Sequence, residues 1–517
     1  MNLIDFFDRA AARHPGRDFA ISDASTWTYG EMSDFATRIG NGLKALGMGR
    51  ETKCAVLSRN DPLAFAAFLG ILKAQGVWVP VHTGNGAAEN QHLLEFFDVE
   101  ILFYAREFED FARQAKTRLP AIRELICLDA ASEFSPGLHA WAEKQTRTAI
   151  RLDWDPEGMC MLRGTGGTTG QPKGVMNTNR NFACTLANFY ARLAFDAPPV
   201  YLAAAPLTHA AGVFAWVAIA FGGTLVMHRK FDAARVLEAI GRHRVSMLYL
   251  PPTAIYALMS QQNAMDYDYS SLRHFIYGAA PTASTKLREA IHLFGNVMTQ
   301  CYGQTEVPTS VTMLTPAEHL DARGMVDEKR LLSCGRPSPF VRVELMDQAG
   351  RIVDQGEIGE IVVQGDLVMK GYYKNPEATA EVSDHGWHHT GDLARQDEDG
   401  FLYIVDRAKD MIITGGFNVY PLEVEQVILG HPGVQDCAVV GVPNEKWGEA
   451  IKAVVELKPG HSVDAEVLMA LCKEKIGSVK TPKSIDFVAS MPRSAVGKVM
   501  RKKVRKPYWE GRERQVS

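Results

Sequence analysis

Short apolar segments alternate with amphipathic segments through much of the chain, and this alternation limits the possible folds more than any other feature. Cys54–Leu57 and Gly76–Pro80 have the length and composition of strands. Asp61–Lys73 lies between them and begins with an aspartate cap followed by proline, as many helices do. Further strand-like segments are Thr224–Met227, Ser246–Leu250 and His274–Tyr277. This spacing predicts βαβ units and mostly parallel sheets.

The pattern changes after about Gly335, where shorter apolar segments alternate with turn residues. Val341–Leu345, Gly359–Gly365 and Gly400–Val405 predict a small β-rich region. We therefore expect an α/β fold with a large N-terminal domain of mostly parallel sheets, this β-rich region, and a small α/β C-terminal domain. The charged stretch Asp406–Asp410 marks the expected boundary, which gives domains 1–406 and 407–517.

One stretch has the composition of a membrane span, because residues 197–228 contain no Asp, Glu, Lys or Arg. Three prolines interrupt its first part, and Gly222–Gly223 interrupts its second. A broken helix would leave backbone groups unpaired in lipid. The stretch is therefore expected to form a buried helix followed by a buried strand.

Charge and cysteine usage exclude several classes of protein. Lys and Arg number 56 against 60 Asp and Glu, a net charge of −4, which argues against a nucleic-acid-binding protein. The eight cysteines form no C-x-x-C pair, so structural zinc and a secreted disulfide framework are not expected. The N-terminus carries acids where a signal peptide needs basic residues. We therefore predict reduced thiols and a cytoplasmic protein without a transmembrane segment.

The segment Thr165–Gly174 is the strongest local signal. Its first six residues are three threonines and three glycines, and Lys173 follows shortly after. Small residues let backbone N–H groups approach phosphate oxygens and form an anion nest. The segment is not a Walker A loop, since Gly-Lys-Ser/Thr is absent, and it lacks the third glycine of a dinucleotide fingerprint. An ordinary surface turn is the alternative.

This segment resembles the phosphate loop of the adenylate-forming superfamily, in the branch of acyl-CoA synthetases and fatty-acid–CoA ligases. Further motifs follow in the same order over nearly the whole chain: Pro206–Gly212, Tyr302–Glu306, Thr390–Asp392, Asp406–Pro421 and Pro492–Lys498. The resemblance implies an enzyme that activates a carboxylate with ATP and Mg²⁺, releases pyrophosphate, and transfers the acyl group to coenzyme A.

The resemblance also implies roles for individual residues. Glu306 would hold Mg²⁺ and Thr305 would contact the α-phosphate, while Tyr302 offers a ring to adenine and Asp392, with Arg407, binds ribose. The residues implied in nucleotide or CoA binding are Thr165, Gly166, Gly167, Thr168, Thr169, Gly170, Lys173, Gly278, Ala279, Ala280, Tyr302, Gly303, Gln304, Asp392, Arg407, Lys409, Gly415 and Gly416.

The C-terminal domain has its own implied roles. Lys498 would reach the carboxylate and α-phosphate during adenylation, which suits a point charge on a flexible stem. On composition alone it would be one solvated charge beside the basic run 501–506. By resemblance the domain is mobile, Lys409 is its hinge and Gly416 lines the thiol tunnel, although Gly415–Gly416 is also compatible with an ordinary turn.

The acyl pocket is expected beside His209 and the Tyr302 motif. Its implied lining is Thr208, Val213, Phe214, Tyr277 and Val307. Because this set is mostly apolar, we expect a fatty or aryl acid. Members of the resembled superfamily that adenylate amino acids usually carry an aspartate near this histidine motif, and residues 207–214 contain no acid, so the resemblance argues against an amino-acid substrate. His209 would close the pocket or move with CoA, unless it is simply a satisfied buried histidine.

We therefore expect an acid–CoA ligase acting on small molecules, with no nucleic-acid partner, and the sequence allows a homodimer. One alternative is an adenylating enzyme that loads a carrier-protein phosphopantetheine thiol. Another is a non-catalytic nucleotide-binding regulator, against which the intact Glu306, Asp392 and Lys498 argue.

Overall fold

The computed structural model describes residues 1–165, 173–493 and 499–510. Its strands are β1 Asp18–Ile21, β2 Thr26–Thr28, β3 Lys53–Leu57, β4 Val77–Val81, β5 Val99–Tyr104, β6 Glu124–Cys127, β7 Met159–Thr165, β8 Lys173–Thr178, β9 Val200–Ala203, β10 Thr224–Met227, β11 Met247–Tyr249, β12 His274–Gly278, β13 Met298–Tyr302, β14 Thr312–Leu314, β15 Arg336–Pro337, β16 Arg342–Met346, β17 Ile358–Gln364, β18 Gly371–Tyr372, β19 His388–Gln396, β20 Leu402–Arg407, β21 Ile412–Thr414, β22 Phe417–Val419, β23 Val434–Asn444, β24 Gly448–Leu457 and β25 Ser484–Val488.

The helices in the same ranges are α1 Ile4–Arg13, α2 Tyr29–Ala45, α3 Pro62–Lys73, α4 Ala87–Phe96, α5 Glu109–Arg118, α6 Leu138–Glu143, α7 Asn179–Arg192, α8 Ala210–Ala220, α9 Ala233–Arg242, α10 Pro252–Met259, α11 Ser284–Phe294, α12 Pro376–Glu381, α13 Pro421–Leu429, α14 Ala465–Lys480 and α15 Arg501–Arg505. The predicted cap of α3 is confirmed, because the Asp61 side chain accepts a 2.9 Å hydrogen bond from the Leu63 N–H.

Two large sheets confirm the predicted parallel architecture. The first has nine strands in the order β15-β14-β13-β12-β11-β9-β10-β1-β2, and it is parallel from β13 through β1. The second has seven strands in the order β18-β8-β7-β4-β3-β5-β6, and it is parallel from β7 through β6. Side chains from both sheets meet in one apolar cluster, which also includes most of α8.

The uncharged stretch folds into buried elements of the first sheet. It contributes the strands β9 and β10 with the helix α8 between them, and Trp216 in α8 is fully buried. The expected buried helix followed by a strand is confirmed, and β9 is an additional strand at the start. Across the described ranges, no helix has both the length and the apolar character that crossing a bilayer requires.

Two smaller sheets follow residue 335. The strands β16, β17, β19 and β20 form an antiparallel sheet in that order. The strands β21 to β25 form a second sheet, which packs with α13 and α14 around an apolar cluster of its own. The predicted β-rich region and the small α/β C-terminal domain are therefore confirmed as parts of the fold.

A buried ion cluster connects the end of the chain with the end of β20. The Arg501 guanidinium donates to Asp406 at 2.9 Å, to Asp410 at 3.2 Å and to Glu425 at 2.5 Å. The carboxylates of Asp406 and Glu425 are almost completely buried. Burial raises the pKa of Asp406, and the nearby Arg501 opposes that rise. The cluster fixes α15 against β20 and α13.

All eight cysteines lie within the described ranges, and each is buried with a free thiol. Burial raises the pKa of every one of them, for example to about 12 for Cys160 and about 11 for Cys184. Structural thiols of this kind are inert compared with exposed ones.

Candidate active site

Three groups of predicted residues meet at one edge of the nine-stranded sheet. The strands β9, β12 and β13 run parallel, so their carboxyl ends lie on the same side. Thr208 and His209 follow β9, Gly278–Ala280 ends β12, and Tyr302–Glu306 ends β13. Ligands of open α/β sheets bind in the crevice at this edge.

A tight turn after β13 carries Thr305 and Glu306. A Cβ atom on Gly303 would lie 2.5 Å from the Thr309 nitrogen and 2.6 Å from the Val307 oxygen, so only glycine fits there. The Gln304 N–H closes the turn on the Val307 carbonyl at 3.1 Å. The glycine in this motif is therefore required by backbone packing.

Asp392 is the centre of a hydrogen-bonded cluster formed by three of the predicted motifs. Its Oδ2 accepts from the Tyr302 hydroxyl and from the Gln304 amide, both at 2.7 Å. Its Oδ1 accepts from Arg407 Nε at 3.1 Å. The carboxylate is 8% exposed, whereas the Arg407 side chain is about half exposed. Tyr302 is itself only 9% exposed, and its hydroxyl is taken up by Asp392.

Glu306 lies in a second cluster together with Lys173. The Tyr372 hydroxyl donates to Glu306 Oε1 at 2.8 Å. Lys173 Nζ lies 4.7 Å from the centre of the Tyr372 ring, which is cation–π geometry. Tyr372 therefore connects the predicted metal ligand with the lysine of the Gly/Thr segment.

Arg163 supports the backbone of the Thr305 turn from below. Its guanidinium donates to Asn177 Oδ1 at 2.8 Å and to the Thr305 carbonyl at 3.3 Å, and the Asn177 amide donates to the same carbonyl at 3.1 Å. Burial lowers the pKa of Arg163 to about 10, while the nearby Glu306 acts in the opposite direction. A buried cation thus lies under the predicted phosphate-binding region.

Some predicted residues fall outside the described ranges: Gly166, Gly167, Thr168, Thr169, Gly170 and Lys498. The strands on either side of residues 166–172 pair with each other, and Thr165 in β7 is opposite Lys173 in β8. The described flanks of the Gly/Thr segment are therefore adjacent, and Lys173 faces the Glu306 cluster.

His209 occupies the N-cap position of α8 without a side-chain capping bond, and part of its surface is exposed to solvent. Thr208 Oγ1 lies 3.0 Å from His209 Nδ1, and the His82 ring packs edge-on at 4.7 Å between centroids. Although part of its surface is exposed, the ring is surrounded by protein on its other sides. This desolvation, followed by the nearby His82 and Arg163, lowers the pKa of His209 to about 3. His209 is therefore a neutral ring at neutral pH.

The predicted acyl-pocket residues do not all lie together. Val213 and Phe214 are buried on α8, and Phe214 stacks on Tyr249 of β11 with 4.7 Å between centroids. Tyr249 is paired with Ile276. Because side chains alternate along a strand, Tyr277 points to the other face of the sheet, where its hydroxyl bonds His319 at 3.0 Å. Val307 belongs to a separate apolar cluster behind the Tyr302 turn.

The C-terminal residues occupy two turns. Lys409 is exposed in the turn between β20 and β21. Gly415 and Gly416 form the two-residue connection of the hairpin β21–β22, and both have positive φ, as a primed hairpin turn requires. The Gly415 N–H donates to the Trp447 carbonyl at 2.9 Å.

Three residues of this site were not predicted from sequence: Arg163, Asn177 and Tyr372. None belongs to a motif. The one available signal was Arg163, a charge inside an otherwise apolar strand directly before the Gly/Thr segment. Tyr372 reaches Glu306 only because β18 pairs with β8.

Comparison with known proteins gives consistent matches along the chain. The family described as AMP-binding enzyme matches residues 7–373, and the AMP-binding enzyme C-terminal domain matches residues 423–498. A medium/long-chain-fatty-acid–CoA ligase, FadD8 of Mycobacterium tuberculosis, is 37% identical over 98% of this chain and 90% of its own length. A feruloyl-CoA synthase of Amycolatopsis is 36% identical over 96% of both chains.

Solved structures agree with these matches. The amide bond synthetase McbA from Marinactinospora thermotolerans superimposes with a TM-score of 0.89 at 30% identity, covering 98% of this chain and 100% of that chain.

Proposed function

This chain belongs to the family of AMP-binding enzymes, and from that premise we propose that it is an acid–CoA ligase acting on a fatty or aryl acid. An oxygen of the carboxylate attacks the α-phosphorus of ATP, and the bond to pyrophosphate breaks. The CoA thiolate then attacks the acyl carbon, and AMP leaves as the thioester forms. We place this reaction in the cytoplasm, which suits a protein whose eight thiols are free.

The observation that carries the proposal is the meeting of two hydrogen-bonded clusters at one sheet edge. Asp392, with Tyr302, Gln304 and Arg407, offers an oriented carboxylate to the ribose hydroxyls. Thr305, on the turn next to these residues, is assigned to contact the α-phosphate. The remaining assigned nucleotide contacts are Thr165, Gly166, Gly167, Thr168, Thr169, Gly170, Gly278, Ala279, Ala280 and Gly303.

The carboxylate of Glu306 fits the requirements of Mg²⁺. This ion commonly binds through one or two carboxylates plus substrate phosphates. The described residues contain no group of three His, Cys, Asp or Glu that could form a metal cage. Glu306 has one oxygen held by Tyr372, which leaves the second for the ion. When bound, the ion neutralises charge on the phosphates as pyrophosphate departs. Lys173 and the buried Arg163 add positive charge to the same region.

The C-terminal part of the chain supplies the adenylation lysine and the thiol path. We assign residues 1–406 to ATP and acid binding, and residues 407–517 to a mobile part that turns about Lys409. Arg501, three residues after Lys498, bonds Asp406, whose neighbour Arg407 bonds Asp392. This chain of contacts links α15, which follows Lys498 in sequence, to the ribose cluster, and it supports the proposed role of Lys498 in adenylation. Gly415 and Gly416 would let the pantetheine arm pass close to backbone.

A paired measurement tests this function. The enzyme is given ATP, Mg²⁺ and a panel of fatty and aryl acids, with CoA or with a phosphopantetheinyl carrier protein as acceptor. We expect AMP and a CoA thioester, and turnover with the carrier alone would overturn the choice of CoA.

A variant separates the half-reactions. Lys498→Ala is expected to lower acid-dependent pyrophosphate exchange by roughly 100-fold or more, since one electrostatic contact to the transition state is lost. Thioester formation from supplied acyl-AMP should be unchanged. Lys502→Ala, an exposed lysine of α15, is the matched control and should leave both steps intact. Equal loss in both steps for Lys498→Ala would contradict the assignment.

A further inference from the structure

Tyr249 is unusual among the buried tyrosines of this protein. Eight tyrosines are buried within the described ranges, and Tyr249 is 6% exposed. Seven of the eight have a hydrogen-bond partner for the hydroxyl: Tyr29, Tyr104, Tyr201, Tyr277, Tyr302, Tyr372 and Tyr403. The Tyr249 hydroxyl makes no hydrogen bond with any residue that the structure describes. The Tyr249 hydroxyl oxygen is not among the fully enclosed atoms that lack a partner, so it keeps some accessible surface and can meet a ligand. Buried tyrosines usually pair this group, because leaving it unpaired costs free energy.

The position of Tyr249 connects it with the acyl site. It is the last residue of β11, so it lies at the same carboxyl edge as Gly278 of β12 and Tyr302 of β13. Its ring stacks on Phe214 of α8, on the face of the sheet that Tyr277 does not share. α8 begins directly after His209. The unpaired hydroxyl is therefore on the α8 side of the crevice.

The surroundings of Tyr249 are aromatic. Its ring and that of Phe214 are nearly parallel, at an interplanar angle of 27°. Phe189 of α7 packs edge-on against Phe214 with 5.5 Å between centroids. Aromatic rings prefer offset-stacked or edge-on contacts with one another, so these surroundings suit a bound aryl ring.

We propose that Tyr249 is a specificity-determining residue whose hydroxyl bonds an oxygen substituent on the ring of an aryl acid. This inference rests on the proposed ligase function. A saturated fatty acid has no polar atom at its distal end, so it would leave the hydroxyl unpaired. A ring hydroxyl or methoxy oxygen pairs with it, and a site built around such a bond discriminates strongly against the analogue that lacks it.

Two acids that differ by one oxygen test the inference. The wild-type enzyme is assayed with 4-hydroxycinnamic acid, cinnamic acid and decanoic acid, with CoA, ATP and Mg²⁺. We expect kcat/KM to be roughly 10- to 100-fold higher for the hydroxylated acid than for cinnamic acid. Tyr249→Phe should remove this preference by lowering kcat/KM for the hydroxylated acid alone. Tyr403→Phe is the matched control, because Tyr403 is a buried tyrosine whose hydroxyl already bonds Asp397 at 2.9 Å, and it should keep the preference.

Each result decides between the two proposals. Equal kcat/KM for both ring acids in the wild type, or an equal loss for both in Tyr249→Phe, overturns the inference and leaves the ligase function intact. Turnover of decanoic acid, with no turnover of either ring acid, also overturns the inference and leaves the ligase function intact. Failure of every acid to release AMP overturns the ligase function itself. Thermal unfolding of each variant confirms that a loss of activity is not a loss of fold.

Discussion

The Tyr302 hydroxyl lies 2.7 Å from Oδ2 of Asp392, and this bond joins residues that are 90 positions apart in sequence. It connects the end of the parallel strand β13 with the antiparallel strand β19 of a different sheet. Gln304 shares the same oxygen, and Arg407 takes the other. The carboxylate is thus oriented before any nucleotide arrives, and preorganised polar groups of this kind avoid reorganisation during reaction.

Asp392→Asn should weaken nucleotide binding. The asparagine amide has no charge to pair with Arg407. Its N–H group would also face the Tyr302 hydroxyl and the Gln304 amide, which are themselves donors. We expect KM for ATP to rise roughly 10- to 100-fold, as for loss of a charge-assisted hydrogen bond of about 1.5–3 kcal/mol. Acid-dependent pyrophosphate exchange at varied ATP measures this. Tyr302→Phe keeps the carboxylate and removes one neutral donor, so it should change KM only a few-fold. An unchanged KM in Asp392→Asn would contradict the ribose assignment.

Glu306→Gln should alter the response to Mg²⁺. The amide keeps the shape of the side chain and loses the charge that a hard cation needs. We expect adenylation to fall by roughly 100-fold and the half-saturating Mg²⁺ concentration to rise. The control is Tyr372→Phe, which removes only the hydrogen bond that orients Glu306 and should cost a few-fold. A wild-type Mg²⁺ titration in Glu306→Gln would show that another group holds the ion.

His388 makes the stability of the protein depend on pH. It is 3% exposed, both ring nitrogens are unpaired within the described ranges, and burial, followed by the nearby His389, lowers its pKa to about 4. The unfolded chain takes up this proton near pH 6.5, whereas the folded chain does so only near pH 4. Stability should therefore fall as the pH drops from about 6.5 to 4, by about 3 kcal/mol from this group.

Denaturant unfolding of His388→Phe over that pH range measures the contribution. The variant should show a shallower loss of stability on acidification, because its side chain cannot bind a proton. His385→Asn changes an exposed histidine of the same region and serves as the control. An identical pH slope in His388→Phe and the wild type would disprove the assignment.

Gly303→Ala should disable the turn that carries Thr305 and Glu306. The new Cβ would lie 2.5 Å from the Thr309 nitrogen, which is backbone and cannot rotate away. We expect loss of pyrophosphate exchange by at least about tenfold, together with a destabilisation of about 1–3 kcal/mol. Gly86→Ala, where nothing lies within 4 Å of the added atom, should behave as wild type. Full activity in Gly303→Ala would show that the turn does not position these residues.

The sequence could point only to candidate site residues that belong to contiguous motifs. Turn chemistry at Gly303, the hairpin at Gly415–Gly416 and the cap at Asp61 are local properties, so a short stretch of sequence contains the information. The same holds for the order of strands and helices in the large sheets, where hydrophobic periodicity marks each element.

Local sequence patterns could not predict contacts between segments that are distant in sequence. Tyr372 meets Glu306 through the pairing of β18 with β8, which no local pattern indicates. Tyr277 stays a predicted acyl-pocket residue, and its hydroxyl bonds His319 42 positions away, a contact that the local sequence does not indicate. Tyr249, on the neighbouring strand β11, was not singled out from sequence, because a tyrosine in an apolar strand resembles ordinary core.

The burial of all eight cysteines has a practical consequence for measuring this enzyme. Disulfide and maleimide reagents react with thiolates, and the raised pKa values keep these side chains protonated and slow at neutral pH. In an assay mixture the CoA thiol is then the fast-reacting one. A colorimetric thiol reagent can therefore follow CoA consumption without a background from the protein. A single cysteine introduced at an exposed position would likewise accept a fluorescent label without prior removal of the native ones.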